Sequence, residues 1–254
     1  MNVIHLIRSP DVYLVASGVA GMGLSNPYDA NTYLICDGKE ACLIDAAATP
    51  DIGEHVYTLC SHMGITLKWV FLTHGHADHA GGVIGIRHFF PSVQVFAGPT
   101  LMQRWVETED PISLERAKRA GVYPPDFFVE QPAVDRELHD GEQFLMSRCR
   151  IVAWHTPGHA PEHMVYSVIT EDGHTLLFAG DHIFPGGFVA IEPIPECSVV
   201  DYANSMKRLE SIPHEALFAG HLCPTLMDGG RSVKKALQYF DALWVPPSLN
   251  MAMV

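Results

Sequence analysis

The sequence lacks the features typical of membrane-spanning and disulfide-stabilised proteins. Its six cysteines are scattered without a CxxC pair, so we expect reduced thiols and a cytoplasmic setting. No apolar run approaches the ~20 residues of a membrane span. The first residues show no basic segment followed by a long apolar core, so we expect no signal peptide.

Positive charge is also scarce. Sixteen Lys and Arg stand against 29 Asp and Glu, which gives a formal net charge of −13. Such a surplus of negative charge repels phosphate backbones and anionic lipid surfaces. We therefore expect no nucleic-acid partner and no membrane partner, but a small-molecule substrate, and a homodimer is left open.

Linkers, low-complexity runs and charge blocks are missing as well, so residues 1–254 are predicted to form a single domain. Apolar runs and turn signals predict strands over 12–17, 31–36, 41–46, 68–73, 92–98, 148–156, 164–169, 175–180 and 216–220. Helices are predicted over 49–63, 81–90, 199–211 and 230–243, with Thr49 and Ser198 as N-caps and Gly64 at a C-terminus. Residues 100–120 are predicted to be helical but broken near Asp110-Pro111, and about 100–135 forms a cap-like excursion. This order predicts an α/β protein in which two sheets pack between helical layers.

Histidine is abundant, with fifteen residues, and its placement is more informative than its number. Four apolar runs end in potential metal ligands: WVFLT before His74, His76, Asp78 and His79; RIVAWHTPG before His159; TLLFAG before Asp181; ALFAG before His221. Strand ends of α/β sheets converge at one edge, where ligands bind. A lone histidine is usually a core or surface residue, but this coincidence of four segments indicates metal.

The spacing divides these seven residues into two metal sites. His74 and His76 lie two apart in an extended segment and face the same way, so with His159 they make a three-histidine site. Asp78, His79 and His221 make the second site, and Asp181 bridges both through its two oxygens. We expect two divalent ions, zinc first, although iron or manganese suits the same ligands.

These residues resemble the motifs of the metallo-β-lactamase superfamily. THGHADH (73–79) matches the THxHxDH signature, and TPGHAPEH (156–163) is similar to a segment of its glyoxalase II and hydroxyacyl-thioester hydrolase branches. FAGDHIF (178–184) and AGH (219–221) are similar to the strands with the bridging Asp and the final His. The resemblance implies an αββα sandwich of two packed mixed sheets flanked by helices.

The resemblance also implies a reaction. A hydroxide that bridges two metal ions attacks a carbonyl ester-type bond, in a thioester or a lactone, and Asp78 orients the hydroxide. His163 and His182 flank the ligands. Either side chain can donate to a substrate oxyanion, as a catalytic residue would, or can support the metal ligands, and support is the favoured interpretation.

Other chemistries in the superfamily fit less well. Best-known lactamases have Cys where Asp181 stands, and the 40 residues between Asp181 and His221 leave no room for the extra domain of nuclease members. An iron-dependent persulfide dioxygenase and a small phosphodiesterase or RNA-processing enzyme remain as alternatives, as does a binding protein without activity. The sequence near the C-terminus contains no basic cluster that could bind glutathione, which weakens a strict glyoxalase II assignment.

Three segments are candidates for a substrate pocket. The loop 183–196 follows the bridging Asp and mixes Pro and Gly with apolar residues, and 21–31 contains Met22 and Tyr28. The excursion contributes large side chains: Met102, Trp105, Tyr123, Phe127 and Phe128. Such loops select substrates on a rigid scaffold, but these side chains are equally suited to a core or a dimer contact.

Overall fold

The structure is a computed structural model that describes residues 2–107, 109–110 and 112–249. One sheet has seven strands in sequential order: β1 (Ile4–Ile7), β2 (Asp11–Ala16), β3 (Thr32–Asp37), β4 (Glu40–Ile44), β5 (Thr66–Phe71), β6 (Gln94–Ala97) and β7 (Arg136–Glu137). β1 to β4 pair antiparallel, and β4 to β7 pair parallel. The sheet is therefore mixed, as predicted.

The second sheet has five strands, in the order β12-β11-β10-β9-β8: β8 (Gln143–Met146), β9 (Cys149–His155), β10 (Met164–Ile169), β11 (Thr175–Gly180) and β12 (Ala216–Ala219). Only the β11–β12 pair is parallel. Its parallel arrangement requires a crossover, which α6 (Val199–Glu210) supplies.

Seven helices occur in the described part of the chain. Besides α6 they are α1 (Asp51–Met63), α2 (Ala77–Ala80), α3 (Val83–Phe89), α4 (Leu101–Glu107), α5 (Leu114–Arg119) and α7 (Gly230–Asp241). None of the described helices is long and apolar enough to cross a membrane.

Three apolar clusters define the layers. The central cluster joins inward-facing side chains of both sheets, among them Phe71 and Tyr166. A second cluster packs α1 and α3 on the outer face of the seven-stranded sheet, and a third packs α6 and α7 on the five-stranded sheet. The predicted arrangement, two mixed sheets flanked by helices, is confirmed.

The predicted helix ends and helix ranges are confirmed in part. Gly64 ends α1 in the left-handed conformation, with φ of 65°, and the Ser198 hydroxyl accepts a hydrogen bond from the amide of Asp201 at the start of α6. The Thr49 cap is wrong, because Pro50 occupies the N-cap position and no side chain caps α1. The predicted helix 81–90 is confirmed as α3, and the short helix α2, which the sequence analysis did not predict, precedes it. The predicted break in 100–120 falls between α4 and α5, and its Pro111 lies outside the described residues.

Candidate metal centre

The seven predicted ligands lie at one end of the sandwich. His74 and His76 follow β5, and Asp78 and His79 stand on the short helix α2 that comes next. The other three lie at or near strand ends: His159 after β9, Asp181 after β11 and His221 after β12. Strand topology thus brings together residues from four separate segments.

Their potential ligand atoms form three overlapping groups, each within a span of 4.8 Å: His74, His76 and His159; His74, His79 and Asp181; Asp78, His79 and His221. The first and third groups are the two sites that spacing predicted. The second group places Asp181 between them.

The carboxylate of Asp181 reaches both groups. Its Oδ1 lies 3.3 Å from Nε2 of His79, and its Oδ2 lies 3.4 Å from Nε2 of His221 and 3.9 Å from Nε2 of His159. A Cβ atom at Gly220 would lie 2.2 Å from Oδ1 of Asp181. Glycine at this position therefore allows the carboxylate to sit between the two groups.

The residues fit divalent metal ions. Three histidine Nε2 atoms and one carboxylate oxygen of the centre are buried without a hydrogen-bond partner: Nε2 of His74, His79 and His221, and Oδ1 of Asp181. Buried polar atoms without partners cost free energy. Imidazole nitrogens and carboxylate oxygens are the atoms that zinc and similar ions coordinate, so cations would satisfy all of them at once.

The pKa shifts of the candidate ligands also favour bound cations. Burial alone would lower the pKa of His221, but the carboxylates of Asp181 and Asp78 raise it to about 9. Burial would raise the pKa of Asp78, but His79 and His221 lower it to about 2. His74 and His76 lie further from the carboxylates, and burial together with neighbouring histidines lowers the pKa of each well below its usual range. The centre therefore favours positive charge around Asp78 and Asp181.

Outer contacts orient the ligand rings. Nδ1 of His79 donates to Oδ2 of Asp45 at 2.8 Å, and Nδ1 of His159 donates to the carbonyl of Ala190 at 2.9 Å. Nδ1 of His74 lies 3.0 Å from the Thr73 hydroxyl. Each contact occupies Nδ1 and leaves Nε2 for the centre, which is how second partners set histidine ligands.

Two residues that support the centre, Asp45 and Asn31, were not identified by the sequence analysis. Asp45 follows the apolar strand β4, so the same strand-end pattern that identified Asp181 could have identified it. Asn31 anchors the segment around His221, because its Nδ2 donates to the carbonyls of Ala219 at 3.0 Å and Leu222 at 2.9 Å. No sequence signal singled out Asn31, which stands at the start of the predicted strand 31–36.

His163 and His182 are buried behind the centre. The ring of His163 stacks on that of His74 at 5.2 Å, and its Nδ1 lies 3.2 Å from the Thr156 hydroxyl. The ring of His182 stacks on Tyr202 at 4.3 Å. Neither histidine is among the residues that line the cavity described next, which favours support over contact with substrate.

A cavity of about 610 Å³ opens beside His76, Asp78 and Asp181. Its other lining residues come from the excursion, the loop after β11 and the C-terminal segment, and most are apolar: Ile112, Ala117, Ala120, Val122, Ile191, Pro193, Ile194 and Leu249. Among the predicted pocket residues, Tyr123 lines it, whereas Met22, Tyr28, Met102, Trp105, Phe127 and Phe128 do not. Tyr28 and Phe127 instead pack against the Tyr123 ring.

A family model described as the metallo-beta-lactamase superfamily matches residues 25–221, more than half of the chain. The chain belongs to this superfamily. All seven candidate ligands lie within residues 74–221 and therefore within the region that the family model matches.

Curated relatives are distant and longer. The lactamase-like protein GME11357 of Pestalotiopsis microspora is 28% identical over 73% of this chain and 50% of its own length. An atrochrysone carboxyl ACP thioesterase of Aspergillus chevalieri is 26% identical over 78% and 54%. A hydroxyacylglutathione hydrolase of Tolumonas auensis is 26% identical over 74% and 59%. The chain thus spans only about half the length of the curated relatives it matches.

Solved structures share the fold. The metallo-beta-lactamase family protein TTHA1429 of Thermus thermophilus has a TM-score of 0.67 and 22% identity, over 93% of this chain and 81% of its own. The protein TTHA1623, solved in a di-iron-bound form, has a TM-score of 0.60 and 26% identity, over 78% and 89%.

Proposed function

We propose that the protein is a metal-dependent hydrolase that holds two divalent cations and cleaves a carbonyl ester-type bond, a thioester or a lactone. One observation carries the proposal. A buried group of candidate ligand atoms, several of them without a hydrogen-bond partner, opens on an apolar cavity of about 610 Å³. This size and lining suit a small organic substrate.

The candidate ligands suit two cations better than one. The groups of His74, His76 and His159 and of Asp78, His79 and His221 share no residue, and Asp181 presents one oxygen toward His79 and the other toward His159 and His221. Two bound divalent ions would lower the pKa of water toward neutrality and polarise a carbonyl oxygen. Zinc is our first choice, because histidine nitrogen predominates among the ligands, and iron and manganese are the alternatives.

Tyr123 is the candidate hydrogen-bond donor to the substrate. Its phenol interacts with the Asp78 carboxylate at the cavity wall, and burial together with that carboxylate raises its pKa well above the usual range. The phenol therefore keeps its proton and donates hydrogen bonds, either to Asp78 or to a substrate oxygen beside it. The apolar walls exclude bulk water, which strengthens such contacts.

The names of two relatives support the bond class. One is a thioesterase and another a hydroxyacylglutathione hydrolase. For this reason we propose to test thioesters before lactones.

The test is hydrolysis of a panel of acyl thioesters and lactones by protein loaded with zinc, iron or manganese. We expect cleavage that is abolished by a chelator and restored by metal, and that is lost in Asp181→Asn. A metal-replete protein that cleaves neither class would contradict the proposal. Oxygen uptake with persulfide substrates, measured in parallel, would instead identify the oxidoreductase alternative.

A further inference from the structure

Glu192 lies beside the metal centre on a loop whose backbone is fixed. The carbonyl of Ala190 accepts a hydrogen bond from Nδ1 of His159 at 2.9 Å, and the amide of Ile191 donates to the Ser248 hydroxyl at 3.0 Å. A metal ligand on one side and the C-terminal segment on the other therefore hold the residues just before Glu192. Glu192 lines the cavity together with Asp78 and Asp181.

The Glu192 carboxylate has no hydrogen bond or ion pair with any described side chain or amide. The neighbouring Glu196 differs, because it accepts hydrogen bonds from the Ser113 hydroxyl at 3.1 Å and from the Arg116 guanidinium. Arg116 is the one cation on the described cavity lining apart from the ligand histidine, and Glu196 already neutralises it. Away from the candidate ligands, Glu192 is thus the one carboxylate on the described cavity lining that lacks a hydrogen-bond or ion-pair partner.

A carboxylate that lines an apolar cavity without a hydrogen-bond partner is poorly solvated, and such burial of a charge costs free energy. An ammonium group within hydrogen-bond reach would supply the missing partner, and charge-assisted hydrogen bonds are the stronger kind. The net charge of −13 also favours approach of cations from solution.

We propose that Glu192 makes the cavity select substrates that bear a protonated amine on the part of the molecule next to the scissile carbonyl group. This inference rests on the proposed hydrolase function and narrows its substrate class to amine-bearing thioesters or lactones. The carbonyl end lies at the metal centre, the methylene groups pack on Ile191, Ile194 and Leu249, and the ammonium meets Glu192.

The test measures binding, so that it does not depend on turnover. Isothermal titration with metal-loaded protein compares β-alanine, γ-aminobutyrate and ε-aminocaproate, each with the alkanoate in which a methyl group replaces the ammonium. For at least one chain length we expect the amine to bind about tenfold more tightly, which corresponds to about 1.4 kcal/mol. In Glu192→Gln we expect this ratio to fall to about one, and in the wild-type protein we expect added salt to reduce it.

A matched control separates the local effect from the loss of one negative charge. Glu210→Gln removes the same charge from an exposed position at the end of α6, and the affinity ratio should persist. Thermal melting and metal content verify that each variant folds. The proposal is overturned if the wild-type protein never prefers the amine, or if Glu192→Gln retains the preference.

The two proposals fail in different ways. If Glu192 sets an amine preference but no thioester or lactone is cleaved, the site stands and the hydrolase function is wrong. If esters are cleaved without any amine preference, the hydrolase function stands and the assignment to Glu192 is wrong.

Discussion

Nδ1 of His79 lies 2.8 Å from Oδ2 of Asp45, and both side chains are almost completely buried. The other oxygen of Asp45 accepts from the amide of Thr73 at 2.7 Å, the residue that directly precedes the first predicted ligand. One carboxylate at the end of β4 thus fixes a ligand ring and the backbone of the ligand segment. Burial raises the pKa of Asp45, although His79 and Thr73 counteract this effect.

We expect Asp45→Asn to weaken metal binding by about 10–100-fold, the range for partners that orient ligand rings. The amide side chain keeps the shape but loses the charge that holds the Nδ1 proton of His79. Competition with a chromophoric chelator measures the affinity. Asp140→Asn, which removes a carboxylate from a surface ion pair with Arg208, is the control, and equal affinities in the two variants would contradict this role of Asp45.

Asp181→Ala should release at least one metal ion per chain. Its carboxylate lies close to His79 and to His221. Activity should therefore fall by more than the ~100-fold expected when a residue that only orients a ligand is replaced. Metal content and thioesterase activity of the same preparation check this. Full activity with both ions retained would refute the bridging role.

His163→Gln should retain the wild-type metal content but lower the free energy of unfolding by about 1–3 kcal/mol, the cost of disturbing buried polar contacts. The ring packs on His74 and contacts Thr156 without lining the cavity. Elemental analysis and denaturant titration provide the two readouts. Loss of metal in this variant would show instead that His163 is a ligand or an essential support.

Asp37 links the two sheets and gives a pH-dependent prediction. It accepts hydrogen bonds from Nε of Arg148 at 3.1 Å and from the amide of Cys149 at 2.8 Å. Burial acts to raise its pKa, but these donors lower it below the usual value. A depressed pKa in the folded state adds stability above about pH 4, the unfolded value, and this stability disappears as pH falls through the folded value.

Asp37→Asn should therefore reduce the free energy of unfolding at pH 7 by about 1 kcal/mol or more. The difference from wild type should shrink as pH falls below about 4. Urea denaturation across this pH range measures both quantities, and a difference that stays constant with pH would contradict the assignment.

One sequence pattern predicted both the fold and the clustering of the candidate ligands. Apolar strands that end in His or Asp mark a sheet edge, and the structure brings those ends together at one end of the sandwich. Asp45 obeyed this rule but was overlooked, since it stands alone and not in a histidine-rich motif. Tyr123 was only one of several aromatic candidates for the pocket, and Glu192 was not singled out within the loop 183–196, because irregular loops have no periodic pattern that indicates which side chains reach a cavity. The Thr49 cap failed because several residues near a proline can begin a helix, and sequence does not decide among them.

Metal stoichiometry tests the central claim most directly. Elemental analysis is made on protein purified without added metal, and again after loading with zinc and removal of the excess. We predict about two divalent ions per chain, falling to one or none in Asp181→Ala. A dinuclear centre would be contradicted if the wild-type protein bound only one ion at saturation and if His221→Ala and His76→Ala affected this binding unequally.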